Sequence, residues 1–177
     1  MNLKFNQRWA WVVGDIEMIK QALVDAPHPI IHICSGSSNI GDIKLDLCPV
    51  NVSGNLSRSP SEKKNRGHPD ILGDMLNIPF KSGMAGTVIC DPPYDKSFFD
   101  NSGFDGLVCE LVRILKPSGK LIFYSPWVIT HPTLKLKEMI PQKTGKERSY
   151  FKIMSVHEKF VGQLADYARR GICECER

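Results

Sequence analysis

At 177 residues, with 42% apolar and 24% charged side chains, the chain has the size and composition of one globular domain, residues 1–177, rather than a fibrous or disordered protein. No apolar run approaches the roughly 18 residues of a membrane span, and Asp15, Glu17 and Lys20 break the N-terminal segment, so no membrane partner is expected. The net charge of +4 is modest and does not by itself define a nucleic-acid binder.

The opening residues, Met1 to Arg8, lead into no apolar stretch with a small-residue cleavage site, so a cytoplasmic location is expected. Asp15 to Ala26 predicts a helix, with Ile16, Ile19, Leu23 and Val24 at helical spacing and Pro27 as its stop. Pro29 to Cys34 is a short β-rich run that opens a core of about 28–157 and ends in the small-residue turn Ser35-Gly36-Ser37-Ser38. Ile43 to Leu47 alternates apolar and polar, as in a strand with one solvated face. From Pro49 to Pro69 the chain is polar, and Arg58, Lys63, Lys64 and Arg66 there are candidates for phosphate contact.

Ile71-Leu72 and Thr87–Cys90 are further strands, the second running into Asp91-Pro92-Pro93-Tyr94. Leu107, Val108, Leu111, Val112, Ile114 and Leu115 mark a helix over 106–115, stopped by Lys116-Pro117-Ser118-Gly119. Lys120–Tyr124 and Tyr150–Val156 read as strands and 161–170 as a closing helix. Between them, Trp127–Ser149 carries a second basic set with Lys135, Lys137, Lys143, Lys146 and Arg148, continued by Lys152. Strands alternating with helices predict an α/β fold with a mostly parallel sheet, whose ligands bind beyond the carboxyl ends of the strands. Ser35-Gly36, Asp46, Asp74 and Asp91 all fall at such ends and outline one pocket.

Cys34, Cys90 and Cys109 sit in apolar runs and read as free, buried thiols. Cys173-Glu174-Cys175 reads as a tail, so no metal site is expected. G-x-G-x-x-G is absent. Gly36 to Gly41 matches half of a phosphate loop, but Asp42 follows where a lysine is required, which disfavours a nucleoside triphosphatase.

The most specific signal is Asp91-Pro92-Pro93-Tyr94. Two prolines with fixed φ and no N–H leave their carbonyls aimable at a ligand; Asp91 adds a carboxylate and Tyr94 a stacking face. The motif resembles the Asp/Asn-Pro-Pro-Tyr/Phe ledge of class I S-adenosylmethionine-dependent amino-methyltransferases, the DPPY type that includes DNA adenine-N6 methyltransferases. Ile31–Ser37, Gly73–Phe80 and Leu115–Phe123 are similar to that family's other motifs in order, and the likeness spans about Ile30 to Trp127. It implies a Rossmann-like fold with helices on both faces, here with a reduced first helix, since only Ser37 to Leu45 separate the glycine loop from the ribose acid. It also implies S-adenosyl-L-methionine as cofactor, held by Cys34, Ser35, Gly36, Asp46, Asp74, Met75 and Asp91. Asp91, Pro92, Pro93 and Tyr94 would carry catalysis, and Tyr94, Phe98 and Phe99 would contact the substrate.

The implied reaction is methyl transfer to an exocyclic nucleobase amine, first of all adenine N6 in DNA. RNA adenine or guanine N-methylation remains open, as does a non-catalytic, cofactor-binding subunit that activates a partner methyltransferase. The chain leaves no room for a separate target-recognition domain. Sequence recognition then falls to the segments 49–69 and 127–149 or to a partner subunit, or is absent, and Trp9, Trp11 and Trp127 are candidates for covering an interface.

Overall fold

The computed structural model describes residues 13–36, 38–47, 69–93, 103–144 and 150–160. The predicted helix at 161–170, the polar stretch 49–68, and Tyr94, Phe98 and Phe99 lie outside them.

Helix α1 (Val13–Ala22) precedes strands β1 (Ile30–Ile33), β2 (Ile43–Asp46), β3 (Ile71–Leu72) and β4 (Ala85–Cys90). Helix α2 (Gly103–Ile114) then leads to β5 (Leu115–Ser125), β6 (Leu134–Thr144) and β7 (Tyr150–Lys159). The strands form one seven-stranded sheet in the order β3-β2-β1-β4-β5-β7-β6. Pairings from β3 through β5 are parallel, and β7 runs antiparallel to both β5 and β6. The order reverses between β1 and β4, which creates the crevice where open α/β sheets hold ligands.

Alternation along the strands assigns the two faces. Ile31, Ile33, Val88, Cys90, Leu121 and Phe123 pack beneath α2, which inserts Leu107, Val108, Leu111 and Val112. Ile30, Ile89, Ile122, Tyr124 and Met154 point the other way, toward Ile19 of α1. Helices therefore cover both faces, as the sequence predicts. Each fully buried Ile or Leu in these layers contributes about 2 kcal/mol. Lysines from the sheet cap both helices: Lys120 Nζ donates to Ala22 O at 3.0 Å, and Lys159 Nζ to Val112 O and Leu115 O at 2.8 and 3.0 Å. A cation there meets the negative end of the helix dipole.

Between β1 and β2, no helix occurs among the described residues. The chain crosses in a strap from Cys34 to Asp42, fastened by Asp42 N to Ile30 O at 2.8 Å and by Ile30 N to Asp42 Oδ2 at 2.7 Å. His32 Nδ1 donates to Ile40 O at 3.1 Å, and Ile40 packs into the α1-side core where a crossover helix would otherwise lie. Parallel crossovers ordinarily take a dozen or more residues. Here a backbone bond, the Asp42 carboxylate and the His32 imidazole fasten the crossing in place of helical hydrogen bonds.

Several expectations are revised. Residues 134–144, read as part of a basic connecting segment, form edge strand β6, hydrogen-bonded to β7. α1 spans Val13–Ala22 rather than the predicted Asp15 to Ala26. Cys109 is disulfide-bonded, not a free apolar thiol. Gly86 sits where β4 presses on the residues before β1: a Cβ there would lie 2.5 Å from Pro27 O and 2.6 Å from His28 O.

Candidate active site at the carboxyl edge of the sheet

The chain leaves β1 through Cys34 (φ 57°), Ser35 and Gly36 (φ 53°), a left-handed turn that glycine adopts without strain. Gly36 N donates to Asp46 Oδ2 at 2.8 Å, and Ser35 N to Leu45 O at 3.2 Å, so the loop after β1 is stitched to the end of β2. Ser35 is buried, and its Oγ has no hydrogen-bond partner among the described residues. An orphaned hydroxyl in such a loop suits a polar ligand.

After β3, the exposed Asp74 folds back to accept Leu76 N at 2.9 Å, and Asn77 N donates to Asp74 O at 3.1 Å. Asp74 thus closes its own turn, and no helix follows among residues 75–84. Met75 points toward the loop after β1, with its Sδ 3.3 Å from Cys34 Sγ. The following stretch is clamped by α2. Arg113 forks onto Glu110 at 2.6 and 2.7 Å and reaches Phe80 O and Ile78 O at 2.7 and 2.8 Å, while Ile78 N donates to Glu110 Oε2 at 2.8 Å. The guanidinium beside Glu110 holds that carboxyl below its ordinary range.

β4 delivers Asp91, Pro92 and Pro93 to the same edge. Pro92 is buried, and only 7% of the Asp91 side chain is exposed. Its Oδ2 accepts a 2.5 Å bond from Lys152 Nζ, whose side chain is 9% exposed. The ammonium crosses above the Tyr124 ring, 4.3 Å from its centroid, and so bridges β7 to β4 over the intervening β5. The β7–β5 register, with Tyr124 opposite Met154, puts Lys152 on the α1-side face. Burial lowers the neighbouring His32 to about 4, against a smaller raising influence from its backbone bond to Ile40 and from Asp91, so its imidazole is neutral at physiological pH. Burial also pushes the Cys90 thiol up, and Cys34 and Asp91 add to the effect.

The structure therefore brings the predicted residues Cys34, Ser35, Gly36, Asp46, Asp74, Met75, Asp91, Pro92 and Pro93 to one edge of the sheet. Sequence reasoning missed Lys152, which it grouped with surface lysines open to phosphate. The available signal was a lone charged residue in the mostly apolar run Tyr150 to Val156. Phe104 was missed too; it stacks edge-on against Phe123 and the partly exposed Trp127, at 5.9 and 5.5 Å, where β5 ends.

Neither a protein-family model nor a curated protein sequence matches the chain. Solved structures do resemble it. An S-adenosylmethionine-dependent methyltransferase from Methanosarcina mazei aligns with a TM-score of 0.54 at 10% identity, covering 81% of this chain and 98% of the other. The N-methyltransferase NodS from Bradyrhizobium japonicum aligns with a TM-score of 0.57 at 13% identity, covering 82% and 94%. The cyclase SpnF aligns with a TM-score of 0.57 at 10% identity, covering 90% and 86%. At such identities the likeness concerns architecture, and a cyclase among the neighbours illustrates that fold alone does not set the reaction. The chain has the Rossmann-like fold of class I methyltransferases.

Proposed function

We propose that this chain is an S-adenosylmethionine-dependent N-methyltransferase acting on the exocyclic amine of a nucleobase, with adenine N6 in DNA as the first candidate. The observation that carries the proposal is the Asp91-Pro92-Pro93 ledge at the end of β4, across the β1/β4 crevice from a glycine turn tied to an acid.

The residues present suit the donor. The Gly36 turn admits close backbone approach, Ser35 Oγ is a buried polar atom awaiting a partner, and Asp46 offers a carboxylate for ribose hydroxyls. Cys34 and Met75 supply a soft, apolar wall. Asp74, engaged in its own turn through Oδ1, has its remaining oxygen for the adenine amino group. When bound, S-adenosylmethionine supplies a methyl group made electrophilic by its sulfonium.

The chain's own work is on the acceptor. An exocyclic amine is a poor nucleophile because its lone pair is delocalised into the ring. The Asp91 carboxylate and the Pro92 carbonyl accept its two N–H bonds and turn the lone pair out of the ring plane. As the N–CH3 bond forms and the S–CH3 bond breaks, the nitrogen becomes pyramidal, and acceptors fixed for that geometry help most in the transition state. The nitrogen then releases a proton to bulk water, which restores neutrality and leaves the donor as a neutral thioether. Tyr94 is assigned to stack on the base, an interaction worth about 1–3 kcal/mol, with Phe98 and Phe99 as edge contacts, and duplex DNA requires extrusion of the base.

The test is transfer of tritiated methyl from S-adenosylmethionine to DNA and RNA in parallel, followed by nucleoside analysis. Label in N6-methyldeoxyadenosine, lost in Asp91→Ala with donor binding intact, supports the reading. Label only in RNA moves the substrate to the RNA alternative, and near-full activity in Asp91→Ala overturns the role of Asp91.

A further inference from the structure

Lys152 is nearly fully buried, and its ammonium contacts an anion and an aromatic face. A lysine is costly to desolvate, and one retained in this position is held by what it pairs with. Its partner is the acid to which the proposed function assigns the acceptor amine. Two consequences follow from charge and geometry. First, Asp91 cannot rotate freely about χ1 and χ2 while Oδ2 is bound from across β5, so the carboxylate is fixed before any acceptor arrives. Second, Asp91 and Lys152 together carry no net charge. An isolated buried carboxylate would attract an aliphatic ammonium, which has no lone pair to donate. A neutralised one keeps its hydrogen-bond acceptor function without that attraction.

We infer that Lys152 is the positioning and specificity-determining residue for Asp91: it fixes the carboxylate and cancels its charge, so that the site takes a neutral, weakly basic aryl amine and rejects cationic amines. This inference rests on the reading of Asp91 as the acceptor contact. β7 is suited to the task because it is anchored at its far end: Lys159 bonds the final carbonyls of α2, and Ser155 Oγ donates to Phe123 O at 3.2 Å.

The experiment compares wild type, Lys152→Met, Lys152→Arg, Asp91→Asn and the double variant Asp91→Asn/Lys152→Met. Titration with S-adenosylhomocysteine first establishes that each retains the donor site. With an adenine-containing oligodeoxynucleotide, Lys152→Met is expected to lose about 100-fold in kcat, the scale of a misplaced catalytic contact, with KM for the donor unchanged. Lys152→Arg should recover part of that loss, because a guanidinium restores the charge. In the Asp91→Asn background, Lys152→Met should cost nothing further. Losses that multiply, a Lys152→Met enzyme as active as wild type, or equal losses in kcat and donor affinity would each overturn the inference. Should Lys152→Met fail to fold, the double variant, which removes both charges together, still gives the comparison with Asp91→Asn.

The charge claim is read separately, by competition between neutral adenosine and cationic 1-methyladenosine for the protein bound to S-adenosylhomocysteine. Wild type should prefer the neutral compound, and Lys152→Met should shift the ratio toward the cation about tenfold, equal to ~1.4 kcal/mol. An unchanged ratio overturns the specificity role even if methyl transfer is confirmed. If wild type transfers no methyl while Lys152→Met still shifts the ratio, the reaction is overturned and the charge selection kept; wild type that binds neither compound overturns both.

Discussion

Asp46 Oδ2 accepts the Gly36 N–H at 2.8 Å, and together with Ser35 N to Leu45 O this bond ties the turn after β1 to the end of β2. The acid is thus oriented by the loop whose ligand it is proposed to share. Asp46→Ala should leave the Gly36 donor without its acceptor and remove the ribose contact. We expect the affinity for S-adenosylhomocysteine to fall about tenfold or more, with little change in thermal stability. Calorimetric titration checks this; unaltered affinity would remove Asp46 from the donor site.

Two buried imidazoles make the fold sensitive to acid. Burial lowers both His32 and His157 from 6.5 to about 4. Unfolded histidines take up protons near 6.5, whereas these two stay neutral in the folded protein until about 4. The unfolded state therefore binds more protons across that window, and stability is full above it and falls as pH drops through it. His32 alone accounts for on the order of 3 kcal/mol, from its shift and the free energy per pH unit. Denaturant midpoints measured from pH 7 to pH 4 should decline steadily. A flat profile would contradict the buried neutral state.

Gly86→Ala should destabilise without touching the active site. The new methyl would meet the Pro27 and His28 carbonyls at 2.5 and 2.6 Å, and these are backbone atoms with little room to retreat. A loss of about 1–3 kcal/mol is expected for overpacking of this kind. Urea denaturation provides the measurement.

Arg113→Lys tests whether α2 steadies the donor-side loop. Lysine keeps the charge but cannot fork onto Glu110 while also reaching Ile78 O and Phe80 O. Stability should drop by about 1–2 kcal/mol. Donor affinity should weaken with it, because the stretch that follows Asp74 and Met75 loses its clamp. A full loss of stability with unchanged affinity would separate the clamp from the site.

Sequence reading found what periodicity and punctuation encode. The central strands β1 and β4 are short, apolar and bounded by turn residues, and α2 carries apolar residues at helical spacing before Lys116-Pro117. The ledge was visible because two adjacent prolines after a buried strand are rare in an ordinary turn. β6 escaped notice because an edge strand buries little: Leu136 and Met139 remain exposed, and its lysines look like those of a solvated loop. Lys137 belongs to an exposed pair with Glu158 at 2.9 Å, which reduces its availability for phosphate. Lys152 was misjudged for a different reason. The local run Tyr150 to Val156 hints that the lysine points inward but does not name its partner, which lies 61 residues away in sequence.

The strap from Cys34 to Asp42 also bears on how such chains are recognised. The interval between the glycine turn and its downstream acid holds no helix among the described residues. The invariant is instead a matter of neighbourhood, with Ile31 lying beside Ile43 and Ile33 beside Leu45. The likeness of fold thus resides in which strands lie side by side rather than in their spacing along the chain.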